Sequence, residues 1–453
     1  MDEARADSDT RAPSSGRGIL RAALVVGAAT LLVRLVGLLK NQSIAYWFGT
    51  GDEVEAFRLA SMLLVFALGA CSNALTTAFI PVYARERVRA GPAAAARLCT
   101  ELMGWILPLL CGAALLLALA WPGFLALVAG GHTEAKRAMA SEIFYWILPS
   151  LVLNGLSVPL LAALNAEKRF GVTAFPAGVV PLTIALSVWI FARAAGARAL
   201  AAGHLLGVVL ELLIVAWLAR RAGLAVLPRR PRATRAVRDV FGQIQPLVFG
   251  AVLMSSTSIV DQMMCATLPS GNLAALGYAH DIVAGLLSIT AVALGTVVLP
   301  YLSDLAAARD WSAMQAAFGA WARRSLYWSL PLTAFIVLLA GPLVSILFER
   351  GHFSSSDAHS VSTILRWYAL QIPFFVVGIL CARVLSALRG NQILMWVSGL
   401  NCAANVGLNW VLMRWMGASG IALSTTCVQA LATLCLVLAA RRRLRAAVRL
   451  GPE

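Results

Sequence analysis

Residues 74–83 read ALTTAFIPVY and residues 293–302 read ALGTVVLPYL, with Pro81 opposite Pro300. The register continues downstream: Pro122 answers Pro342, Gly131-His132 answers Gly351-His352, and Trp146-x-x-Pro149 answers Leu370-x-x-Pro373. A span-ending proline matches by chance one at a time, but four matches in order point to internal duplication. The two copies flank the longest connector, RRAGLAVLPRRPRATRAVR at Arg220–Arg238, which is where a duplicated chain carries its linker.

Composition says what each copy is made of. The 453 residues are 60% hydrophobic and 13% charged, with a mean hydropathy of +0.80, which marks an integral membrane protein. About twelve apolar stretches are long enough to cross roughly 30 Å of hydrocarbon as helices. They lie at 20–48, 54–84, 98–129, 138–164, 170–193, 199–219, 237–268, 273–305, 315–348, 360–388, 391–415 and 419–440. Six is even, so both copies enter the membrane from one side and are parallel repeats, with substrate expected between them. The expected fold is an all-α integral membrane protein of two six-helix lobes around a central cavity. Residues 1–19 would be a disordered cytoplasmic N-terminus, 20–219 the N-lobe, 220–238 a basic linker, 239–440 the C-lobe and 441–453 a basic tail. The competing arrangement is an ordinary bundle with no cavity.

A net charge of +16 invites a nucleic-acid reading, but the placement of the 37 Lys and Arg residues argues otherwise. Most fall in the termini and the even-to-odd loops, including Arg85, Arg87, Arg89, Lys168, Arg169, the linker and Arg441–Arg445, while Lys136, Arg137, Arg193, Arg198, Arg350 and Arg414 lie at the opposite ends. That asymmetry puts both termini in the cytoplasm, suits anionic lipid headgroups and leaves no case for nucleic acid. The eight cysteines show no C-x-x-C spacing and read as small hydrophobes. No H-E-x-x-H, Walker A or G-x-S-x-G signature is present, so the expectation is a transporter with no catalytic residues, no cofactor and no ATP chemistry of its own.

Ionisable residues inside spans mark pathways. In the first span Arg34, Gly37, Lys40 and Asn41 share an arc of about 120°. Glu55, Arg58 and Asn73 lie in the second span, Asp261 in the seventh, and His280 and Asp281 in the eighth. These are the first two helices of each copy, the natural cavity walls, and a cationic patch there suits phosphate or pyrophosphate. The alternative is internal ion pairing, such as Arg34 with Asp281 or Lys40 with Glu55. Asn401, Asn405 and Asn409 follow at i, i+4 and i+8; with Ser424, Thr425 or Thr426 and Asp261 they offer the oxygen ligands sodium prefers, or else they hydrogen-bond between helices. His204 reads as an interhelical hydrogen-bonder, and His132, His352 and His359 as residues in or near exterior loops.

The stretch VRLVGLLKNQSIAYWFGTGDEVEAF (33–57), together with ALTTAFIPVY, GYAHDIVAGLLSITAVALGTVVLPYLSD (277–304), LFERGHFSSSDA (347–358) and ARVLSALRGNQ (382–392), resembles MurJ/MviN-type lipid II flippases. That family belongs to the multidrug/oligosaccharidyl-lipid/polysaccharide exporter superfamily. The resemblance implies two lobes alternating between inward and outward openings in a bacterial inner membrane. It implies transfer of an undecaprenyl-pyrophosphate-linked glycan from the cytoplasmic to the periplasmic leaflet. The substrate-binding wall would comprise Arg34, Lys40, Asn41, Glu55, Arg58, Asn73, His280 and Asp281. Asp261, Asn401, Asn405 and Thr425 would be the ion-coupling set, with Na⁺ as the candidate ion. Membrane lipids and a glycan polymerase or synthase would be partners.

The chain also departs from the family pattern. Lys40 stands where Arg is usual, Asn41 where an acid is usual, and Glu55 for Asp. Phe66-Ala67-Leu68 replaces an arginine-rich segment, Tyr278-Ala279-His280-Asp281 replaces Tyr-Ala-Asp-Arg, and the two further helices of many members are absent. These departures leave open an exopolysaccharide lipid-linked oligosaccharide as the cargo. Two rivals also stand: a drug/cation antiporter of the same superfamily and a non-transporting scaffold. Two elementary charges moved through 100 mV correspond to about 4.6 kcal/mol, enough for the membrane potential to bias a transport cycle.

Overall fold

The computed structural model describes residues 16–167, 173–388 and 390–450. Residues 1–15 of the expected disordered N-terminus, and Lys168 and Arg169, lie outside these, while Gly16–Ile19 already belong to the first helix. Every regular element among the described residues is helical: α1 (Gly16–Phe48), α2 (Asp52–Ala90), α3 (Pro92–Ala129), α4 (Glu134–Ile147), α5 (Pro149–Ala166), a 3₁₀ turn (Pro176–Gly178), α6 (Val179–Ala195) and α7 (Arg198–Arg221), followed by α8 (Arg235–Ala266), α9 (Asn272–Ala307), α10 (Trp311–Phe348), α11 (Ser355–Ala369), α12 (Ile372–Ala387), α13 (Asn391–Met416) and α14 (Ala418–Leu450). The basic segment 441–450 continues α14 as helix.

The duplication is visible in these elements. The fourth span of each half is broken, α4 from α5 at Leu148 and α11 from α12 at Leu370–Gln371. Proline is the cause in both: Pro149 and Pro373 occupy the first turn of the second piece, where a missing N–H costs nothing but where the preceding ladder cannot continue. Phe79 and Tyr83 are buried in one half and their register mates Val298 and Leu302 in the other. Nine helical segments among the described residues are long and apolar enough to cross a membrane, and the bent pair 235–253 and 255–266 makes a tenth. The two long helices left over are α1, which carries Arg34 and Lys40, and α13, which carries the asparagine stripe.

Three packed cores define the shape. One joins both lobes at the end where α1 turns into α2 and α8 into α9, and includes Ile44, Val54, Phe144, Leu276, Tyr278, Phe348 and Phe353. At the opposite, basic end the lobes have separate cores, one around Phe79, Tyr83, Leu102 and Val215, the other around Leu302, Phe318, Val384 and Leu444. The lobes therefore meet at one end and part at the other, and the space between them opens toward the basic end. Helix α8 crosses between them, with Val237 and Val240 in the N-lobe core and Cys265 in the shared core. It bends by 42° between Leu253 and Ser255. The linker itself lies on α3, where Trp105 donates to the Arg232 carbonyl at 3.2 Å and Arg229 N–H to the Thr100 carbonyl at 3.0 Å.

Within the N-lobe, α6 and α7 approach closely at Gly203-x-x-x-Gly207: a Cβ at either glycine would stand 2.8 Å from a Cα atom of α6, Ile184 or Val180. Lipid tails are as apolar as leucine, so helices in a membrane gain little by hiding apolar side chains and more by close backbone packing of this kind.

Candidate functional site

The sealed end is held by polar groups that reach across the lobes. Glu55, in the first turn of α2, accepts hydrogen bonds from the backbone N–H groups of Leu273 (2.8 Å) and Ala274 (3.2 Å), so a carboxylate of the N-lobe caps a helix of the C-lobe. The charge suits the positive end of α9, whose first N–H groups have no partners within their own helix. Its countercharge is Lys136 of α4, whose ammonium bonds the other Glu55 oxygen and lies 3.1 Å from Asp52 and 3.1 Å from Ser270 Oγ. Both Glu55 and Lys136 are 1% exposed. His132 completes the set: its Nε2 lies 2.7 Å from the Ala266 carbonyl oxygen and so donates, leaving Nδ1 to accept from Lys136 at 3.3 Å.

Loops add to this seal. His352 N–H donates to the Tyr46 carbonyl at 2.8 Å, Tyr278 OH to the Gly49 carbonyl at 3.0 Å, and Thr50 to Asp357, which also closes the capping box of α11. Gly49 has φ +57°, and a Cβ there would stand 2.6 Å from the His352 carbonyl oxygen; the turn fits its partner only as glycine.

One turn below Glu55 on the same face of α2, Arg58 meets Asp281 of α9 at 3.2 Å. Asn41 Nδ2 donates to the same Asp281 oxygen at 3.2 Å, and His280 Nδ1 stands 3.6 Å from the other. Lys40 is half-buried and makes no hydrogen bond with a described residue, but Asp281 and Arg58 are the charges it feels. Arg58 is held from two further sides. Its guanidinium lies 5.3 Å from the centroid of the Tyr278 ring, and it passes so close to Gly277 that a Cβ there would be 2.1 Å from its central carbon. Two cations thus face one carboxylate at the bottom of the space between the lobes, leaving a local positive excess. Because the clash at Gly277 falls on the end of a flexible side chain, Gly277→Ala should leave thermal stability unchanged yet lower transport by about tenfold as Arg58 is pushed off Asp281. Equal transport in reconstituted vesicles would remove Arg58 from the site.

A second cluster lies between α8, α13 and α14. Asp261 accepts from Asn405 (2.9 Å) and Asn409 (2.7 Å) on one carboxylate oxygen and from Thr425 (2.8 Å) on the other. Asp261, Asn405 and Asn409 are buried, and Asn409 Oδ1 and Ser424 Oγ are buried with no partner among the described residues. A carboxylate, amide and hydroxyl oxygens within one enclosed cluster form a hard donor set of the kind a small monovalent cation takes.

The structure redistributes several expected roles. Lys40, Asn41, Arg58, His280 and Asp281 come together. Arg34 does not join them: it lies six residues, roughly 9 Å, further along α1, is exposed, and makes no ion pair with a described residue. The pairings considered for the cations, Arg34 with Asp281 and Lys40 with Glu55, are replaced by Arg58 with Asp281 and Lys136 with Glu55. Glu55 belongs to the seal and not to the cavity wall, because its two oxygens are consumed by α9 and Lys136. Asn73 is exposed, with no side-chain partner among the described residues. Asn401 stays outside the Asp261 cluster, whereas Asn409 enters it. Lys136 and His132, read as exterior, are structural centres of the seal. Their signal in the sequence was a lysine in the first turn of a helix, where the helix dipole disfavours a cation without an acidic partner.

The profile of the family described as "Lipid II flippase MurJ" matches residues 44–451. A relative from Rhizobium meliloti (strain 1021), a "Probable lipid II flippase MurJ", is 28% identical over 410 residues, covering 88% of this chain and 76% of its own. Among solved structures, "Lipid II flippase MurJ, inward closed conformation" is similar with a TM-score of 0.80 at 18% identity, covering 94% of this chain and 90% of that one. An inward-facing multidrug resistance MATE family transporter of the MOP superfamily reaches 0.79 at 14% identity, covering 94% of this chain and 100% of that one. The fold is thus the twelve-helix, two-lobed transporter fold, and with a family profile running from the end of α1 through α14 the chain belongs to the lipid II flippase MurJ family.

Proposed function

We propose that this protein moves a polyprenyl-pyrophosphate-linked glycan of the lipid II type from the cytoplasmic to the outer leaflet of a bacterial inner membrane by alternating access. The distribution of Lys and Arg supports placing the basic end in the cytoplasm, and in that orientation this conformation is open inward and sealed outward. The observation that carries the reading is the charged level just beneath the seal, where Lys40 and Arg58 face Asp281 between the lobes. Arg34, without an ion pair among the described residues and nearer the cytoplasm, meets the entering pyrophosphate first. Lys40 and Arg58 then take it, the guanidinium exchanging Asp281 for phosphate oxygens. Glu55 and Arg58 share one face of α2, so a substrate that draws Arg58 from Asp281 loosens the helix face that also holds the seal.

The enclosed Asp261 cluster supplies a cation site that couples ion movement to resetting of the lobes. Asp261→Asn removes its only charge. Transport in vesicles should then lose its response to a sodium or proton gradient while substrate binding persists; a retained gradient response would eliminate the cluster as the coupling site.

The deciding test is rescue of cells depleted of their own lipid II flippase. Growth and restored outer-leaflet lipid II support this cargo. Failure by a well-expressed, membrane-inserted protein selects a different lipid-linked glycan, such as an exopolysaccharide precursor. Uptake of an organic cation by the reconstituted protein would select an antiporter.

A further inference from the structure

Between α3 and α4, on the flank of the N-lobe at the sealed end, lies a recess of about 360 Å³ whose walls include Trp121, Leu125, Glu134, Arg137, Ser141 and Tyr145. Its floor is rigid. Trp121 is buried, stacked on Phe144 with centroids 4.0 Å apart, and its indole N–H donates to Ser141 Oγ at 3.0 Å. Tyr145 is half exposed at the rim, its hydroxyl donating to the Ala118 carbonyl at 3.3 Å.

Two opposite charges line this recess without meeting. Glu134 and Arg137 make no ion pair with each other or with any described residue, and Arg137 Nε is buried with no acceptor. The dipole of α4 accounts for an acid in its first turn but works against a cation there. The adjoining cation, Lys136, is explained by Glu55 and Asp52; Arg137 has no such partner. An orphaned guanidinium N–H at this position calls for an anion from outside the chain. The neighbouring carboxylate calls for a cation in the same ligand, and the aromatic walls for a ligand seated at the membrane interface, where Trp and Tyr collect. Below it α3 presents Leu115, Leu116 and Leu119 to the lipid, at 61%, 68% and 72% exposed.

We propose that this recess binds the zwitterionic headgroup of an amino-glycerophospholipid, its phosphate on Arg137 and its ammonium against Glu134, with the acyl chains running down the leucine face of α3. Assignment to the outer leaflet rests on the orientation given above; binding itself does not. An anionic headgroup satisfies Arg137 but faces Glu134 unfavourably, and a free phosphate or phosphoethanolamine lacks the apolar anchor.

Native mass spectrometry of the full chain with phosphatidylethanolamine, phosphatidylglycerol or soluble phosphoethanolamine tests this. Phosphatidylethanolamine should be retained over phosphatidylglycerol, and phosphoethanolamine should not displace it. Arg137→Gln should lower phospholipid occupancy by about tenfold, Arg137→Lys by less, and Glu134→Gln should erase the preference between the two lipids while keeping occupancy. Thermal unfolding of each variant checks that the fold survives. Arg137→Gln retaining phosphatidylethanolamine as the parent does, a parent without preference, or displacement by phosphoethanolamine would each overturn the proposal. The complementation outcome leaves this test untouched, so the two readings fail separately.

Discussion

Lys136→Met should destabilise the seal between the lobes by about 3–5 kcal/mol, because it leaves the Glu55 carboxylate buried without its countercharge. Methionine preserves most of the side-chain volume, so the loss is electrostatic and not a packing defect. Glu55 would retain only the two α9 N–H groups as partners. The population should shift away from the form sealed at this end, readable as a longer distance between spin labels on the exposed residues Ala135 and Arg350, which belong to different lobes at the sealed end. Glu55→Gln should do less: its amide oxygen still accepts from α9, and Lys136 keeps Asp52 at 3.1 Å. Transport should fall with Lys136→Met, since a protein that cannot hold one end closed cannot alternate. An unchanged distance distribution with full rescue of growth would show that the shared apolar core closes the lobes without the ion pair.

Arg58→Ala should impair transport more than Asp281→Ala, and removing both should be less damaging than removing Arg58 alone. The physical reason is the carboxylate left behind. Without Arg58, Asp281 keeps Asn41 and His280 as its near partners and Lys40 as the facing cation, and it presents a less compensated negative charge where the proposed reading seats the pyrophosphate. We expect a loss of about a hundredfold for Arg58→Ala and about tenfold for Asp281→Ala, with the double variant near the latter. The sign of the coupling is the test. Losses that simply multiply would mean that the pair is structural and that the cargo is held elsewhere, with Arg34 the first place to look.

Much of this protein is legible in one dimension. Hydropathy locates the membrane-crossing helices because a bilayer forces every backbone polar group to pair within its own segment. The duplication follows from proline spacing, since proline breaks both fourth spans at matching points. Charged residues inside spans announce the cavity because burying them has a cost that only function or pairing offsets. Asp261 with the asparagine stripe could be read from i, i+4 spacing, although the choice of Asn409 over Asn401 depends on which side of α13 faces α8.

What the sequence by itself determined is therefore the helices, the two-lobed duplication and the identity of the charged residues in the membrane. Tertiary structure alone decided which of those charges meet. Arg58 and Asp281 lie 223 positions apart, Glu55 and Leu273 lie 218 apart, and Lys136 reaches Glu55 from another helix altogether. Helical periodicity sets the face on which a charge stands, but Coulomb energy depends on separation in space. Those separations follow from how the lobes close against each other at one end and part at the other.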